Sequence, residues 1–326
     1  MSSKKLLVRA SYAVSADLNA TAGCQKNEED LCLNEKITKQ NGKLNSVPRG
    51  FYAFRAMLLM MLALFVFIMF PGKATTVKAV ERTPYTVTED STIGADVFRN
   101  SVFYTEVVIK NGATATVNGN VTATIPVTIE DEGKLIVNGN YTQQSETFAP
   151  NGIDAEVEIG GNFSVINSGR IYNTNNTTTV SIDGDYLYNS TNSVQWNVAK
   201  WRIGGNVTHS TVKDGGTFFD KLYLTGNQKQ ILSLKSDTSI GALYMDNENN
   251  KELDVPANLN AVICSDVDIT AGANTVINKM VIDTDKEVNF NGDLTAVGPV
   301  GTKDRSKLHV TGDYTQKSEI LSLNGV

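Results

Sequence analysis

Cysteine is scarce in this chain, and its placement excludes several classes of protein. Only three cysteines occur among 326 residues: Cys24 and Cys32 lie before the one long apolar run, and Cys264 stands alone after it. The chain after residue 80 therefore cannot be a disulfide scaffold. Without a CxxC pair or a Cys/His cluster, the sequence has no zinc-binding pattern. A solitary thiol of this kind is expected to be buried and inert.

Positive charge is also sparse. The formal net charge is −6, with 29 Lys and Arg against 35 Asp and Glu, and the sequence holds no dense Lys/Arg patch. A surface that binds the phosphates of nucleic acid needs such a patch, so no nucleic-acid partner is predicted. No phosphate-binding loop, Ser/His/Asp set or metal-ligand cluster is recognisable. The sequence therefore predicts no cofactor, no metal and no catalytic residue.

Long hydrophobic runs are limited to one, AMLLMMLALFVFIMF at residues 56–70. Arg49 and Arg55 precede it, and a Val-Lys-Ala tripeptide that ends at Ala79 follows it. A basic flank, a short apolar core and small residues before a cleavage site are typical of a secretory signal peptide. The run is shorter than the roughly 20 apolar residues that a membrane-spanning helix needs. Residues 49–79 are thus predicted as a signal peptide, with a retained membrane anchor as the alternative.

Residues 1–48 form a polar N-terminal tail with mixed charge and no clear hydrophobic period. We expect this tail to be disordered, or to result from a start codon assigned too early, because Met57 lies where a natural start would be placed. In either case the chain after residue 80 is expected outside the cytoplasm, secreted or at the cell surface. It would contact a membrane only through residues 56–70, and only if they are not removed.

What the sequence does have is a repeat. The stretch KLIVNGNYTQQSE at residues 134–146 returns as KLHVTGDYTQKSE at residues 307–319, with nine of thirteen positions identical. The same glycine, followed by Asn or Asp and preceded by apolar residues two and four positions earlier, recurs along the chain. It occurs at Gly119, Gly139, Gly161, Gly184, Gly205, Gly226, Gly292 and Gly312. The intervals are 20 to 23 residues apart from one of 66, which two degenerate copies at Asn247 and Ala271 divide into three.

The residues around each glycine alternate strictly between apolar and polar, as in Val157-Glu158-Ile159. Such alternation predicts a strand with one buried face and one wet face. Asn, Thr, Val, Ile and Gly dominate this region, which suits strands and turns. Short strands at a fixed period near 21, without helices between them, predict a solenoid. The fold class is therefore all-β, and the crossover rule favours a right-handed parallel β-helix over residues 80–326.

The solenoid prediction carries two further expectations. Each bend glycine marks a position where no side chain fits, and the Asn or Asp beside it is expected to bond in the turn or to form an Asn ladder from coil to coil. The two matching stretches are expected to stand on one face, eight coils apart. The chain stops in mid-coil at Val326. We therefore expect an open C-terminal end that continues into a longer protein or docks onto another chain.

The G-[ND]-[YF]-T-Q element resembles the repeats of secreted bacterial β-helix proteins, such as filamentous-haemagglutinin-like adhesins and pectin-lyase-like surface proteins. The resemblance covers the chain from Val80 onward, about three quarters of it. It implies an extracellular or cell-surface location, with adhesion or association with carbohydrate as the usual role. Partners of such a protein would be surface glycans or components of the host or the cell wall.

Outward-facing positions on neighbouring coils are where a binding site is expected. The position three before the glycine reads Arg202, Tyr223, Tyr244 and Asp268 over four successive copies. An aromatic pair flanked by opposite charges is one design of a glycan platform, in which rings stack on sugar faces and charged groups bond hydroxyls. The alternative is a cross-strand aromatic pair that simply stabilises the sheet.

An enzyme is the remaining alternative, as a polysaccharide lyase or hydrolase. It requires clustered carboxylates with a basic residue near them, or a facing carboxylate pair. Asp266 with Asp268, and Asp283 with Asp285, are spaced to point to one side, but both pairs also fit a solvated surface. The sequence favours a non-catalytic structural or adhesive protein. Scattered carboxylates would contradict the enzyme hypothesis. Carboxylates and a basic residue that converge in one groove would support it.

Overall fold

The computed structural model describes residues 81–99, 101–192, 198–210, 218–247, 249–317 and 321–323. The predicted tail and signal segment lie outside these ranges. Within them the chain forms 29 strands and one short 3-10 helix at Ala95–Arg99. No helix in the described part is both long and apolar enough to cross a membrane.

The strands are short and evenly spread along the chain. The first sixteen are β1 (Thr83–Val87), β2 (Ser91–Thr92), β3 (Tyr104–Ile109), β4 (Thr114–Val117), β5 (Val121–Ala123), β6 (Val127–Ile129), β7 (Lys134–Val137), β8 (Tyr141–Gln143), β9 (Thr147–Pro150), β10 (Glu156–Ile159), β11 (Phe163–Asn167), β12 (Arg170–Ile171), β13 (Thr179–Ile182), β14 (Tyr186–Ser190), β15 (Lys200–Ile203) and β16 (Val207–His209). The others are β17 (Phe218–Leu224), β18 (Gln230–Ser233), β19 (Ser239–Met245), β20 (Glu252–Val255), β21 (Asn258–Ile263), β22 (Val267–Ala271), β23 (Val276–Ile282), β24 (Glu287–Asn291), β25 (Leu294–Ala296), β26 (Val300–Thr302), β27 (Lys307–Val310), β28 (Tyr314–Gln316) and β29 (Leu321–Leu323).

These strands form three parallel sheets. Sheet I has fourteen strands, in the order β2-β4-β7-β10-β13-β15-β17-β19-β21-β23-β25-β28, with β26 and β29 beside them. Sheet II has ten strands, in the order β5-β8-β11-β14-β16-β18-β20-β22-β24-β27, and sheet III has five, in the order β1-β3-β6-β9-β12. The chain visits the sheets in turn and pairs each strand with the one a coil earlier, so every coil stacks on its predecessor. The predicted parallel β-solenoid with coils of about 21 residues is confirmed; its handedness stays a prediction.

The alternation of the sequence becomes the inside and outside of the solenoid. In β10 the side chains of Val157 and Ile159 are buried, and those of Glu156 and Glu158 are exposed. Trp201, placed in the core by this parity, is fully buried. The positions two after the glycine form a stack inside sheet II, where the rings of Tyr141 and Phe163 lie 5.4 Å apart and nearly parallel. Burial of these apolar faces contributes most of the driving force, about 25 cal/mol per Å² removed from water.

The coils change shape partway along the solenoid. In the first half each coil has three short strands, and sheet I strands such as β13 are four residues long. Sheet III ends at β12. In the coils that follow, β17, β19 and β23 have seven residues each. The return from sheet II to sheet I is also shorter there, since β20 ends at Val255 and β21 begins at Asn258. The full coil between the paired sheet II residues Leu253 and Ile269 has only sixteen residues.

This change overturns the expectation that residues 134–146 and 307–319 stand on one face. Lys134–Val137 lies in sheet I, whereas Lys307–Val310 lies in sheet II. The following strands are exchanged in the same way, since β8 belongs to sheet II and β28 to sheet I. The two stretches repeat the same strand-bend-strand unit, but the unit occupies a different corner of the coil. The open C-terminal end stays a prediction, because residues 324–326 lie outside the described part.

Candidate functional site

Six of the eight repeat glycines stack in one column, at the corner where the chain passes from sheet I to sheet II. They are Gly119, Gly139, Gly161, Gly184, Gly205 and Gly226. A Cβ at Gly139 would lie 2.7 Å from Asn120 Oδ1 and from the carbonyl of Gly119, closer than real Cβ atoms come to their neighbours. The glycines therefore let successive bends approach each other. Gly119 begins the column in open space but has φ of +115°, which disfavours other residues.

The Asn or Asp after each glycine ties one bend to the next. The Oδ1 atom of Asn120 accepts a hydrogen bond from the backbone N–H of Asn140 at 2.8 Å, and Asn140 does the same for Asn162 at 2.7 Å. The column continues in the same way through Asp185 and Asn206. Each bond satisfies a backbone donor at a corner that has no ladder partner. These side chains have a structural role, as the predicted ladder requires.

Gly292 and Gly312 belong to a second column, at the corner where sheet II ends and sheet I begins. A Cβ at Gly312 would lie 2.6 Å from the carbonyl carbon of Gly292, and Asp293 Oδ1 accepts a hydrogen bond from the N–H of Asp313 at 2.9 Å. The same unit thus serves two different corners.

Three of the four residues predicted as a glycan platform come together on the outer face of sheet I. Arg202, Tyr223 and Tyr244 are paired in register on β15, β17 and β19. The two tyrosine rings stack 4.5 Å apart at an interplanar angle of 8°. The guanidinium carbon of Arg202 lies 5.6 Å from the ring centre of Tyr223, and Arg202 also forms a 2.7 Å ion pair with Asp246.

This stacking decides what the tyrosines offer to a ligand. Tyr223 has Tyr244 on one face and Arg202 on the other, so both of its faces are covered. A sugar ring that stacks on an aromatic side chain needs a free face, because the attraction comes from the negative π surface. The aromatic surface of Tyr223 that remains for a ligand is therefore its ring edge. The platform as a set stays a prediction, but stacking on Tyr223 would require displacing Arg202.

Asp268, the fourth predicted member, lies elsewhere. It is on β22 in sheet II, where it pairs with Glu252 and Asn289. The prediction placed it one coil beyond Tyr244, and this placement is wrong because the repeat unit has moved to the next corner by that coil. On sheet I the place next to Tyr244 is held by Cys264, whose backbone N–H donates a 2.8 Å hydrogen bond to the carbonyl of Leu243.

Cys264 is half-buried on the outer face, not enclosed in the core as the sequence suggested. Burial raises the pKa of its thiol, and the nearby carboxylate of Asp283 raises it further. Lys303 donates a 2.9 Å hydrogen bond to Asp283 and lowers the pKa of that carboxyl. A thiol held protonated in this way is a poor nucleophile, so the geometry gives Cys264 no catalytic activation.

In the C-terminal coils, the corner where the chain passes from sheet I to sheet II carries a groove, which we call the corner groove. It consists of two adjoining cavities of about 430 and 400 Å³, and Lys251, Asp266 and Lys286 line both of them. The larger cavity is also lined by Val267, Asp268, Asp285, Glu287, Asn289, Arg305 and Lys307, and the smaller by Met245, Asp246, Asn247 and Ser265. The described residues contain no group of three or more Asp, Glu, His or Cys side chains arranged to hold a metal ion.

Only the acidic part of this groove can be predicted from the sequence. Asp266 and Asp268 were recognised as a pair that points to one side, and they do lie in the same cavity. The basic members were missed, because Lys251, Lys286 and Lys307 lie in turns and at strand ends that are far apart in the sequence. Their common signal is the charge density of the corner segments, for example DTDKE at residues 283–287.

Comparison with known proteins adds a negative finding. No family model, no curated protein and no solved structure matches this chain. The structure itself shows the fold, which is a parallel β-solenoid.

Proposed function

We propose that this chain is a non-catalytic structural or adhesive β-solenoid that works outside the cytoplasm, at the cell surface or after secretion. The observation that supports this most is the unbroken stacking of coils, in which sheet I alone has fourteen strands and sheet II ten. Each coil presents its outward side chains at the same spacing, about 4.8 Å from those of the next coil. A rod of this kind displays binding surfaces at fixed positions.

The signal-like residues 49–79 support the location. Export of the full-length protein can be tested by adding protease to intact cells and following the loss of an epitope tag placed in the solenoid. We expect the tag to be cleaved in the natural protein and protected when Leu64→Arg interrupts the apolar run. Protection of the tag in both proteins would contradict the proposal.

Adhesion is a separate measurement. Cells that export the protein should bind a surface coated with mixed cell-wall or host glycans more strongly than cells carrying Leu64→Arg. Equal binding by the two strains would leave only the structural part of the proposal.

A carbohydrate-active enzyme is the second candidate, and one observation favours it. Carboxylates and basic side chains converge in the corner groove, which is the arrangement that a polysaccharide lyase or hydrolase requires. The test is incubation of the purified full-length chain with polysaccharides, followed by measurement of new reducing ends and of the ultraviolet absorbance of unsaturated sugars. Product that disappears in Asp268→Asn would establish the enzyme and overturn the non-catalytic proposal.

A further inference from the structure

The corner groove is distinguished by its length, since single hollows of about 320 to 340 Å³ also occur elsewhere on the described surface. Its two cavities are contiguous through Lys251, Asp266 and Lys286, so together they form a concave strip that runs around the corner of the coil. Each cavity is within the range of about 300 to 1,000 Å³ that small ligands occupy. A flat protein–protein interface would not need such hollows, whereas a chain of linked small units fits them.

The charges of the groove are balanced. The larger cavity has four basic side chains, Lys251, Lys286, Arg305 and Lys307, and four acidic ones, Asp266, Asp268, Asp285 and Glu287. The smaller cavity has two of each, Lys251 and Lys286 against Asp246 and Asp266. A surface selects a polyanion or a polycation by an excess of the opposite charge. A balanced groove favours a ligand without net charge.

Several basic groups in the groove have spare donors. Lys251 Nζ lies 3.8 Å from Asp266 Oδ2, and Lys307 Nζ lies 3.5 Å from Glu287 Oε2. Both distances exceed that of a normal hydrogen bond, and each ammonium has three donors. The ammonium of Lys286 makes no ion pair with any described residue. An inserted hydroxyl could accept a bond from these groups without breaking a strong pair.

The acidic groups are held in place by their other oxygens. Asp266 Oδ1 accepts a 2.9 Å hydrogen bond from the backbone N–H of Glu287, and Asp268 Oδ1 accepts a 2.7 Å bond from the side-chain amide of Asn289. These bonds fix the carboxylates and leave further lone pairs as acceptors. Fixed acceptors reduce the side-chain entropy that the protein loses when a ligand binds.

From these four observations we propose that the corner groove binds a neutral oligosaccharide. Sugar hydroxyls donate and accept hydrogen bonds at once, so they match a groove that places loosely paired ammonium groups beside fixed carboxylates. This proposal deepens the proposed adhesive function, because it names the chemical class of the ligand.

The test uses the purified full-length protein and an array of neutral, acidic and cationic oligosaccharides with several linkages, followed by calorimetric titration of the best binders. We expect neutral members such as a β-glucan hexasaccharide to bind, and oligogalacturonate and chitosan oligomers to bind at least tenfold more weakly. Lys286→Ala and Asp266→Asn should each weaken neutral binding tenfold or more. Asp266→Asn keeps the oxygen that accepts from Glu287, so its effect reports lost charge and not lost folding.

The matched controls lie in the N-terminal coils, where Lys134 and Glu158 form a tight surface pair. Lys134→Ala and Glu158→Gln should leave binding unchanged. Preferred binding of acidic or cationic members, no binding of any neutral member, or equal affinity in the groove variants would each overturn the proposal. These outcomes are separable from the proposed function: a protein retained inside the cell that still binds neutral glycans contradicts the location only. Cells that adhere equally well with Lys286→Ala contradict the groove only.

Discussion

The N-terminal and C-terminal halves of this solenoid are built from the same repeat unit but use it at different corners. In the N-terminal coils the glycine follows a strand of sheet I, as Gly139 follows β7, and in the C-terminal coils it follows a strand of sheet II, as Gly312 follows β27. The unit therefore encodes a strand, a tight bend and another strand, and not a particular face. The difference also separates two surfaces, since the corner groove forms only where the long sheet I strands replace three-strand coils.

The interiors of the two halves differ in their aromatic content. Phe163 packs against Tyr141, Phe148, Tyr186 and Trp201 at centroid distances between 5.4 and 5.8 Å. Phe290 is equally buried in the C-terminal half but pairs with no aromatic ring in the described part. The N-terminal core thus has ring contacts that the C-terminal core lacks.

The largest expected effect follows from this difference. Phe163→Ala should destabilise the protein by about 3–5 kcal/mol, because it removes a large buried side chain and leaves a cavity. Phe163→Leu should cost about 1 kcal/mol more than Phe290→Leu, because only the former loses aromatic pairs. Urea unfolding of Phe163→Ala, Phe163→Leu, Phe290→Ala and Phe290→Leu measures both differences in the free energy of unfolding. Equal losses for the two leucine variants would show that the ring contacts add nothing beyond burial.

The two histidines give a pH comparison. His209 is buried in the N-terminal half, stacked on Tyr188 at 4.9 Å, with Nδ1 3.1 Å from the Thr238 hydroxyl. Burial lowers the pKa of His209 to about 4. His309 is exposed in the C-terminal half, 3.6 Å from Glu287.

A histidine with a lowered folded-state pKa binds its proton more weakly in the folded protein. Its contribution to stability is therefore complete above pH 6.5 and is lost as the pH falls from about 6.5 to about 4. The loss amounts to about 3 kcal/mol at 1.36 kcal/mol per pKa unit. His209→Phe, which keeps the stacked ring, should flatten the pH dependence of unfolding, while His309→Gln should preserve it. An unchanged pH profile in His209→Phe would assign the acid sensitivity to other groups.

A substitution in the glycine column is expected to lower the free energy of unfolding by a smaller amount, and its effect should depend on the neighbouring Asn. Gly139→Ala should cost about 1–3 kcal/mol, because its Cβ would overlap Asn120 Oδ1 and the backbone of Gly119. Adding Asn120→Ala should cost less than the sum of the two single changes, because it removes one of the overlapping atoms. Strict additivity in thermal or urea unfolding would contradict the steric explanation.

The smallest effects are expected from the surface ion pairs, and they sharpen the contrast between the halves. Lys134 lies 2.7 Å from Glu158 in the N-terminal half, whereas Lys251 lies 3.8 Å from Asp266 in the corner groove. Exposed pairs contribute about 0.2–1 kcal/mol and are weakened by salt. Double-mutant cycles should give a coupling near 0.5 kcal/mol for Lys134–Glu158 and close to zero for Lys251–Asp266. A stronger coupling in the groove would mean that its donors are already engaged.

The sequence predicted the inside of the solenoid well because inside and outside depend on local alternation. The alternation alone gives Trp201 and Tyr186 inward positions, and both are buried. The alternation also gives His209 an inward position, and the side chain is buried. The Asn column was predicted as well, since a glycine with a neighbouring Asn is a local turn signal.

It failed where the answer depends on how many residues a whole coil contains. Asp268 looked like the coil neighbour of Tyr244 because the repeat interval is similar. In the structure the coil between the paired sheet II residues Leu253 and Ile269 has only sixteen residues, and the repeat unit that contains Asp268 lies at another corner. Cys264 then took the place beside Tyr244, half-exposed where a buried thiol was expected. No local pattern records that change, since the intervening copies are degenerate.

What the sequence determined by itself is therefore the coil: strands, bends, a period near 21 residues and the side chains that face inward. These follow from short-range alternation and from the backbone demands of glycine and asparagine. Only the tertiary structure decided which coil positions become neighbours, because register is set by the packing of one coil on the last. That packing covered both faces of Tyr223 and brought Lys251, Asp266 and Lys286 into one groove.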